Sequence, residues 1–182
     1  MRVAMFVAAL PLALLAGCGD QGTTANSTQA NASSNATQAQ RAGPLGAPLS
    51  GDEAKEMMHE RHEGMEDIGD GTKALKAALD ASTPDLATVR KEAAAMAKIA
   101  PEVSGWFPPG TGPETGKTHA KPEIWQKPDD FAAKTRDFQA AARKLNVAAQ
   151  GDDVAAMKAA FGDVGKSCKA CHDSYRRPKK PS

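Results

Sequence analysis

The stretch VAAMKAAFGDVGKSCKACHDSY, running from Val154 to Tyr175, decides how this chain folds. Its apolar positions, Val154, Met157, Phe161, Val164, Cys168, Cys171 and Tyr175, alternate by three and four. That spacing puts them on one face of an α-helix, with the polar residues opposite. Asp152-Asp153 just ahead supplies a start signal, because a carboxylate accepts from the unpaired N–H groups of a first helical turn. The helix therefore carries both cysteines on the seam a neighbouring helix would cover, with His172 beside the second.

Cys168-Lys169-Ala170-Cys171-His172 is a C-x-x-C-H run, a pattern that attaches haem covalently. Two thiols one helical turn apart reach the vinyl groups along one haem edge, and the adjacent imidazole points at the iron. A zinc site would need a second ligand pair. The only other cysteine is Cys18, and the remaining histidines are His59, His62 and His119, at no suitable spacing. A C-x-x-C dithiol redox centre is the further alternative. It is better placed at a helix N-terminus, where the dipole lowers a thiol pKa, and in a βαβ context, and no alternating Val/Ile-rich strand occurs in the chain.

Three more helices follow from period and punctuation. The first is expected from about Asp52 to Leu79, with Met58, Met65, Ile68, Leu75 and Leu79 on one face. Gly64, Gly69 and Gly71 each weaken it by up to about 1 kcal/mol relative to Ala. They either break it near Gly69 to Gly71 or leave room for something bulky. Thr83 as N-cap and Pro84 as first helical residue open the second, whose stripe is Leu86, Val89, Ala93, Met96, Ala100 and Val103. Pro101 implies that this helix ends before its stripe does. From Pro101 to Pro128 a Pro- and Gly-rich crossover loop is expected, anchored by Trp106, Phe107, Ile124 and Trp125. The third long helix covers about Pro128 to Ala149, with Phe131, Phe138 and Leu145 seven apart, and Gly151 breaks the chain.

The N-terminus reads as an export signal. Arg2 is followed by an uncharged apolar run from Val3 to Leu15, too short to span a bilayer, and then by Leu15-Ala16-Gly17-Cys18. That tetrapeptide resembles a bacterial lipobox, so residues 1–17 are expected to be a signal peptide of lipoprotein type, with Cys18 acylated. The localisation implied is periplasmic, with a lipid anchor to the membrane. Residues 18–49 are rich in Gln, Thr, Asn, Ser, Ala and Gly, and read as a flexible low-complexity tether. Beyond residue 17 the chain has 22 basic and 22 acidic side chains, because Arg2 is the only charge removed from totals of 23 and 22. No nucleic-acid partner is expected of such a balance. The basic run Arg176-Arg177-Pro178-Lys179-Lys180 reads as a solvated end. Residues 50–177 suffice for one domain, followed by the tail 178–182. Eight aromatic residues make a thin core that a large apolar cofactor would fill.

A single C-x-x-C-H on the last of four helices, in the setting Gly165-Lys166-Ser167-Cys168 to Tyr175-Arg176, resembles cytochrome c′ and its class II c-type relatives over residues 50 to 177. The resemblance implies an all-α fold, an antiparallel up-down-up-down four-helix bundle with one covalently bound haem c. It also maps Arg61-His62-Glu63-Gly64-Met65 onto the family's first helix. There Arg61 is implied to lie near a haem propionate, and Met65 to stand over the distal face as a metal ligand opposite His172. A surface ion pair is the competing reading of Arg61, and a core methionine that of Met65. Met58, His59 and His62 are competing ligands. Arg176, one turn after His172, is implied to tune the proximal imidazole, or is a cation favoured by the helix dipole.

The function these residues imply is one-electron transfer by an envelope c-type cytochrome, an electron-transfer haem protein rather than an enzyme. A Met thioether opposite His raises the potential and saturates the iron. The alternative is a five-coordinate cytochrome c′ that binds NO or CO, with Met65 only packing. Implied partners are redox proteins of the bacterial envelope, with a homodimer possible.

Overall fold

The computed structural model describes residues 48–49 and 51–178. The signal-peptide reading, Cys18, nearly all of the tether, and Lys179 and Lys180 lie outside the described residues. Four long helices make the domain: α1 (Gly51–Asp80), α2 (Leu86–Ile99), α4 (Pro128–Ala149) and α5 (Val154–Tyr175), with a short α3 (Glu123–Gln126) in the crossover. No strand occurs among the described residues, only an isolated antiparallel bridge between Ala120 and Arg176.

The predicted third and fourth long helices match α4 and α5 in extent. Asp153 caps α5, its carboxylate accepting from Ala156 N at 3.1 Å. The expected cap of α2 is corrected. Asp85, not Thr83, accepts from Thr88 N at 3.1 Å, so Pro84 precedes the helix instead of opening it. An ionised carboxylate two residues nearer the first apolar position wins over a hydroxyl. Pro101 ends α2, yet its buried stripe continues through a 3-10 turn, Ala100–Gly105, which inserts Ala100 and Val103.

α1 runs unbroken through Gly69 and Gly71. Helix α1 packs on α2, α2 on α4 and α4 on α5, whereas α1 and α5 touch only sparsely. The main core is built from Leu75, Leu79, Val89, Leu145, Met157 and Val164, with fully buried Ala93, Ala142 and Ala149 letting the helices approach closely. Each buried aliphatic side chain contributes roughly 1.5–3 kcal/mol against exposure. One end of the bundle is tied by Arg90, which donates to Ala149 O and Gly151 O at 3.1 Å and to Asp152 at 2.8 Å.

The other end is closed by the crossover. Ile124, Phe131 and Tyr175 form a second apolar cluster with Phe107, Trp125 and Cys171 around it. Phe131 meets both Phe107 and Tyr175 edge to face, at centroid distances of 4.8 and 5.2 Å. Trp125 Nε1 donates to Phe107 O and Pro108 O at 3.1 Å. All four anchors expected for the loop are thus in contact with the bundle, Trp106 and Ile124 fully buried.

Candidate functional site

Helix α5 carries Cys168 and Cys171, and it touches α1 only sparsely compared with α4. Both are free thiols and half-buried. Cys168 packs against the main core and Cys171 against the aromatic cluster. Burial raises both thiols above their ordinary pKa, Cys171 to about 11, with the neighbouring Cys168 adding to the shift. A dithiol redox centre needs the opposite, a thiolate at neutral pH. No cluster of three or more His, Cys, Asp or Glu occurs among the described residues, which removes the zinc alternative there. Half-buried His172 is pushed below its ordinary value, mainly by burial and then by Arg176. A neutral imidazole offers the lone pair that a metal requires.

Arg176 is exposed, and its contact with His172 is through the backbone, its N–H donating to His172 O at 3.0 Å. It acts on the imidazole by charge, with no side-chain hydrogen bond to it among the described residues.

Arg61 is 5 % exposed, so the surface ion pair is excluded. Its Nη1 donates to Trp106 O at 3.3 Å and Thr111 Oγ1 at 3.2 Å, and its Nη2 to Thr111 O and Thr118 Oγ1 at 3.1 Å. The guanidinium also lies over the Phe107 ring, 4.8 Å from its centroid. No carboxylate pairs with it among the described residues, and burial lowers its pKa to about 10. A buried cation bonded to neutral groups alone is a site for an anion.

Met65 is half-buried and packs on the same core cluster as Cys168, reaching it from α1. Its competitors are occupied elsewhere. His59 and His62 are exposed beside Glu63 and Glu66, at 3.8 and 3.4 Å. Met58 lies under the crossover loop, where a Cβ on Gly116 would stand 3.4 Å from its Cε. The room left by Gly64 is taken by Trp106, whose indole lies 2.4 Å from where a Cβ would be.

The sequence did not announce Thr111, Thr118 and Phe107 as partners of Arg61, nor the bond from Tyr175 Oη to Asp130. Two thiols one turn apart, a neutral imidazole beside them and a buried Arg61 with no carboxylate partner among the described residues fit a covalently tethered haem.

Known proteins agree with that geometry. The family described as Cytochrome C′ matches residues 56–176. The cytochrome c′ of Alcaligenes xylosoxydans xylosoxydans is 50% identical over 68 residues, 37% of this chain and 54% of that protein. Among the first relatives the match thus spans only about half of their length. The cytochrome c′ of Allochromatium vinosum is 36% identical over 125 residues, 67% of this chain and 80% of that protein. Among solved structures, a cytochrome c′ described as having ligand-controlled dimer dissociation is 35% identical with a TM-score of 0.65, covering 72% of this chain and 100% of its own. The nitric oxide complex of a cytochrome c prime variant from Alcaligenes xylosoxidans is 30% identical with a TM-score of 0.63, covering 69% and 97%. The chain belongs to the cytochrome c′ family, whose members carry one covalently attached haem c.

Proposed function

We propose that this protein binds a small diatomic ligand, NO or CO, at the iron of a haem held between α1 and α5. In this reading Cys168 and Cys171 form the thioether tethers and His172 is the one protein ligand. The haem supplies an iron centre that changes valence and accepts a sixth ligand. Met65 covers the far face as an apolar side chain. The observation that carries the reading is that Met65 is half-buried and packs against the main hydrophobic core, the environment of a filling methionine. The relative solved as a nitric oxide complex supports it. It replaces one-electron transfer through a His/Met-ligated iron as the leading reading of this site.

Arg61 would meet a haem propionate. Both its Nη atoms are committed to the loop, and Nε–H is the donor without a partner among the described residues. A propionate there would add the missing negative charge. Export belongs to the same proposal: residues 1–17 as leader, Cys18 as lipid acceptor, the periplasm as compartment. Mass analysis of the mature N-terminal peptide tests it.

A second reading, Met65 Sδ as sixth ligand in an electron carrier, is favoured by the diversion of Met58, His59 and His62 elsewhere. Haem staining on a denaturing gel comes first, since only covalent haem survives it. CO is then added to the reduced protein at neutral pH. Ready binding, with spectra unchanged in Met65→Ala, is the expected result. Refusal of CO, together with a sulfur-to-iron charge-transfer band that Met65→Ala abolishes, establishes the carrier instead.

A further inference from the structure

We infer that Tyr175 is a donor of one electron and one proton beside the haem site, with Asp130 taking the proton, and that it supplies the second electron when hydrogen peroxide is reduced there. The inference rests on the reading of the iron as open at its sixth position, where peroxide would enter. Peroxide takes two electrons and two protons and leaves as two waters. One electron comes from ferrous iron, which becomes ferric, and the other from Tyr175, whose O–H bond breaks. The phenol's proton passes to Asp130, the second proton comes from solvent, and a neutral phenoxyl radical is left on Tyr175. Cleavage of peroxide by the iron's single electron would release hydroxyl radical instead.

The hydroxyl of Tyr175 is the group that packing does not explain. The residue is 4 % exposed, and its ring meets Phe131 edge to face at 5.2 Å in the cluster with Ala120 and Ile124. A phenylalanine would fill that space, whereas a buried hydroxyl costs free energy unless it is bonded. The partner it has among the described residues is Asp130 on α4, whose carboxylate accepts from Tyr175 Oη. That bond ties α5 to α4, and it also leads outward. The side chain of Asp130 is 56 % exposed, so a proton received there is handed to water.

Position supplies the second argument. Cys171 precedes Tyr175 by one helical turn, which places their Cβ atoms about 5–6 Å apart. It packs against the same aromatic cluster, and in the haem reading it tethers one edge of the macrocycle. Tyr175 thus stands beside the covalent link, shielded from solvent. Burial first, and then Asp130, keep the phenol protonated, with its pKa raised to about 12. Oxidation turns a phenol into a strong acid, and its proton then moves along a bond already made. No tryptophan bonds to a carboxylate among the described residues, and Trp125 Nε1 donates to two backbone carbonyls, which take no proton. Tyr175, the only tyrosine of the chain, is therefore the ring equipped to lose an electron and a proton together.

The test uses the haem-loaded full chain carrying Cys18→Ser, reduced, freed of reductant and mixed with an equimolar amount of hydrogen peroxide. Freeze-quench electron paramagnetic resonance reads the product. The expected result is a tyrosyl signal that narrows in protein grown on ring-deuterated tyrosine. In Tyr175→Phe, which keeps the ring packing, that signal is absent and spin-trapped hydroxyl radical rises. Asp130→Asn still offers the phenol an oxygen but takes no proton, and should lower the tyrosyl yield at least ~10-fold. Asp129→Asn removes the same charge from the neighbouring exposed residue and should stay within roughly twofold of the parent. A parent without a tyrosyl signal, a signal carried by tryptophan, or equal yields in Asp130→Asn and the parent would overturn the proposal. Haem staining and CO binding by the reduced parent come first. Failure of the stain defeats the haem reading, and refusal of CO defeats the open-iron reading, each taking this inference with it. With both satisfied, a missing radical counts against Tyr175 alone.

Discussion

Gly64→Ala should destabilise this protein, although the same change five residues later should stabilise it. Both glycines lie inside α1, where Ala is intrinsically better by up to about 1 kcal/mol. At Gly64 the new Cβ would stand 2.4 Å from Trp106 Cη2 and 2.5 Å from Cζ2, where ordinary contact needs about 3.5 Å. The ring must retreat by about 1 Å. It is buried, 3 % exposed, and its own carbonyl is held by Arg61. Overpacking of this kind costs about 1–3 kcal/mol, and the upper part of that range applies because backbone and ring must move together. After the helix gain, the net loss is about 1–2 kcal/mol, or about 4–8 °C in Tm for a domain of this size. At Gly69 a Cβ would meet nothing within 4 Å, so the helix gain stands alone. Thermal unfolding of the haem-loaded protein, followed by circular dichroism at 222 nm, reads both variants. A Gly64→Ala protein as stable as the parent would refute the packing argument. In a Trp106→Phe background the smaller ring should relieve most of the Gly64→Ala penalty.

Asp85→Ala should cost about 1 kcal/mol in urea unfolding and Thr83→Ala close to none, because Asp85 makes the N-cap bond. Tyr175 is the only tyrosine, so carbon-13 NMR at its Cζ titrates it alone. Burial first, and then Asp130, raise it from 10 to about 12. Since the unfolded chain releases that proton earlier, the stability it contributes is complete below pH 10 and is lost as pH rises through about 12. A midpoint near 10 in the folded protein would contradict the burial. Arg61→Lys should leave Trp106 O, Thr111 O and Thr118 Oγ1 short of donors, since one ammonium cannot span a fork, and cost about 2 kcal/mol. Amide exchange across residues 106–118 should then quicken, while exchange in α4 stays slow.

Much of the architecture was legible because it is written in local pattern. α4 and α5 were readable to their ends from heptad spacing, a proline at the start of one and a carboxylate cap on the other. The cap of α2 was misassigned because Thr83-Pro84 has the form of a helix start, whereas the carboxylate of Asp85, nearer the first apolar position, makes the bond. The glycines of α1 looked equivalent in sequence. Trp106, distant in the chain, distinguishes Gly64 from the others.

By itself the sequence determined the four helices, the C-x-x-C-H run and its place on the last helix, and hence the family. These depend on contacts between residues three or four apart, which repeat wherever the pattern does. The tertiary structure alone decided that Arg61 is buried with no carboxylate partner among the described residues and spends its donors on the crossover loop, and that Trp106 fills the room left by Gly64. Those facts arise where the chain returns on itself after a long loop, and nothing in local spacing records where a loop lands.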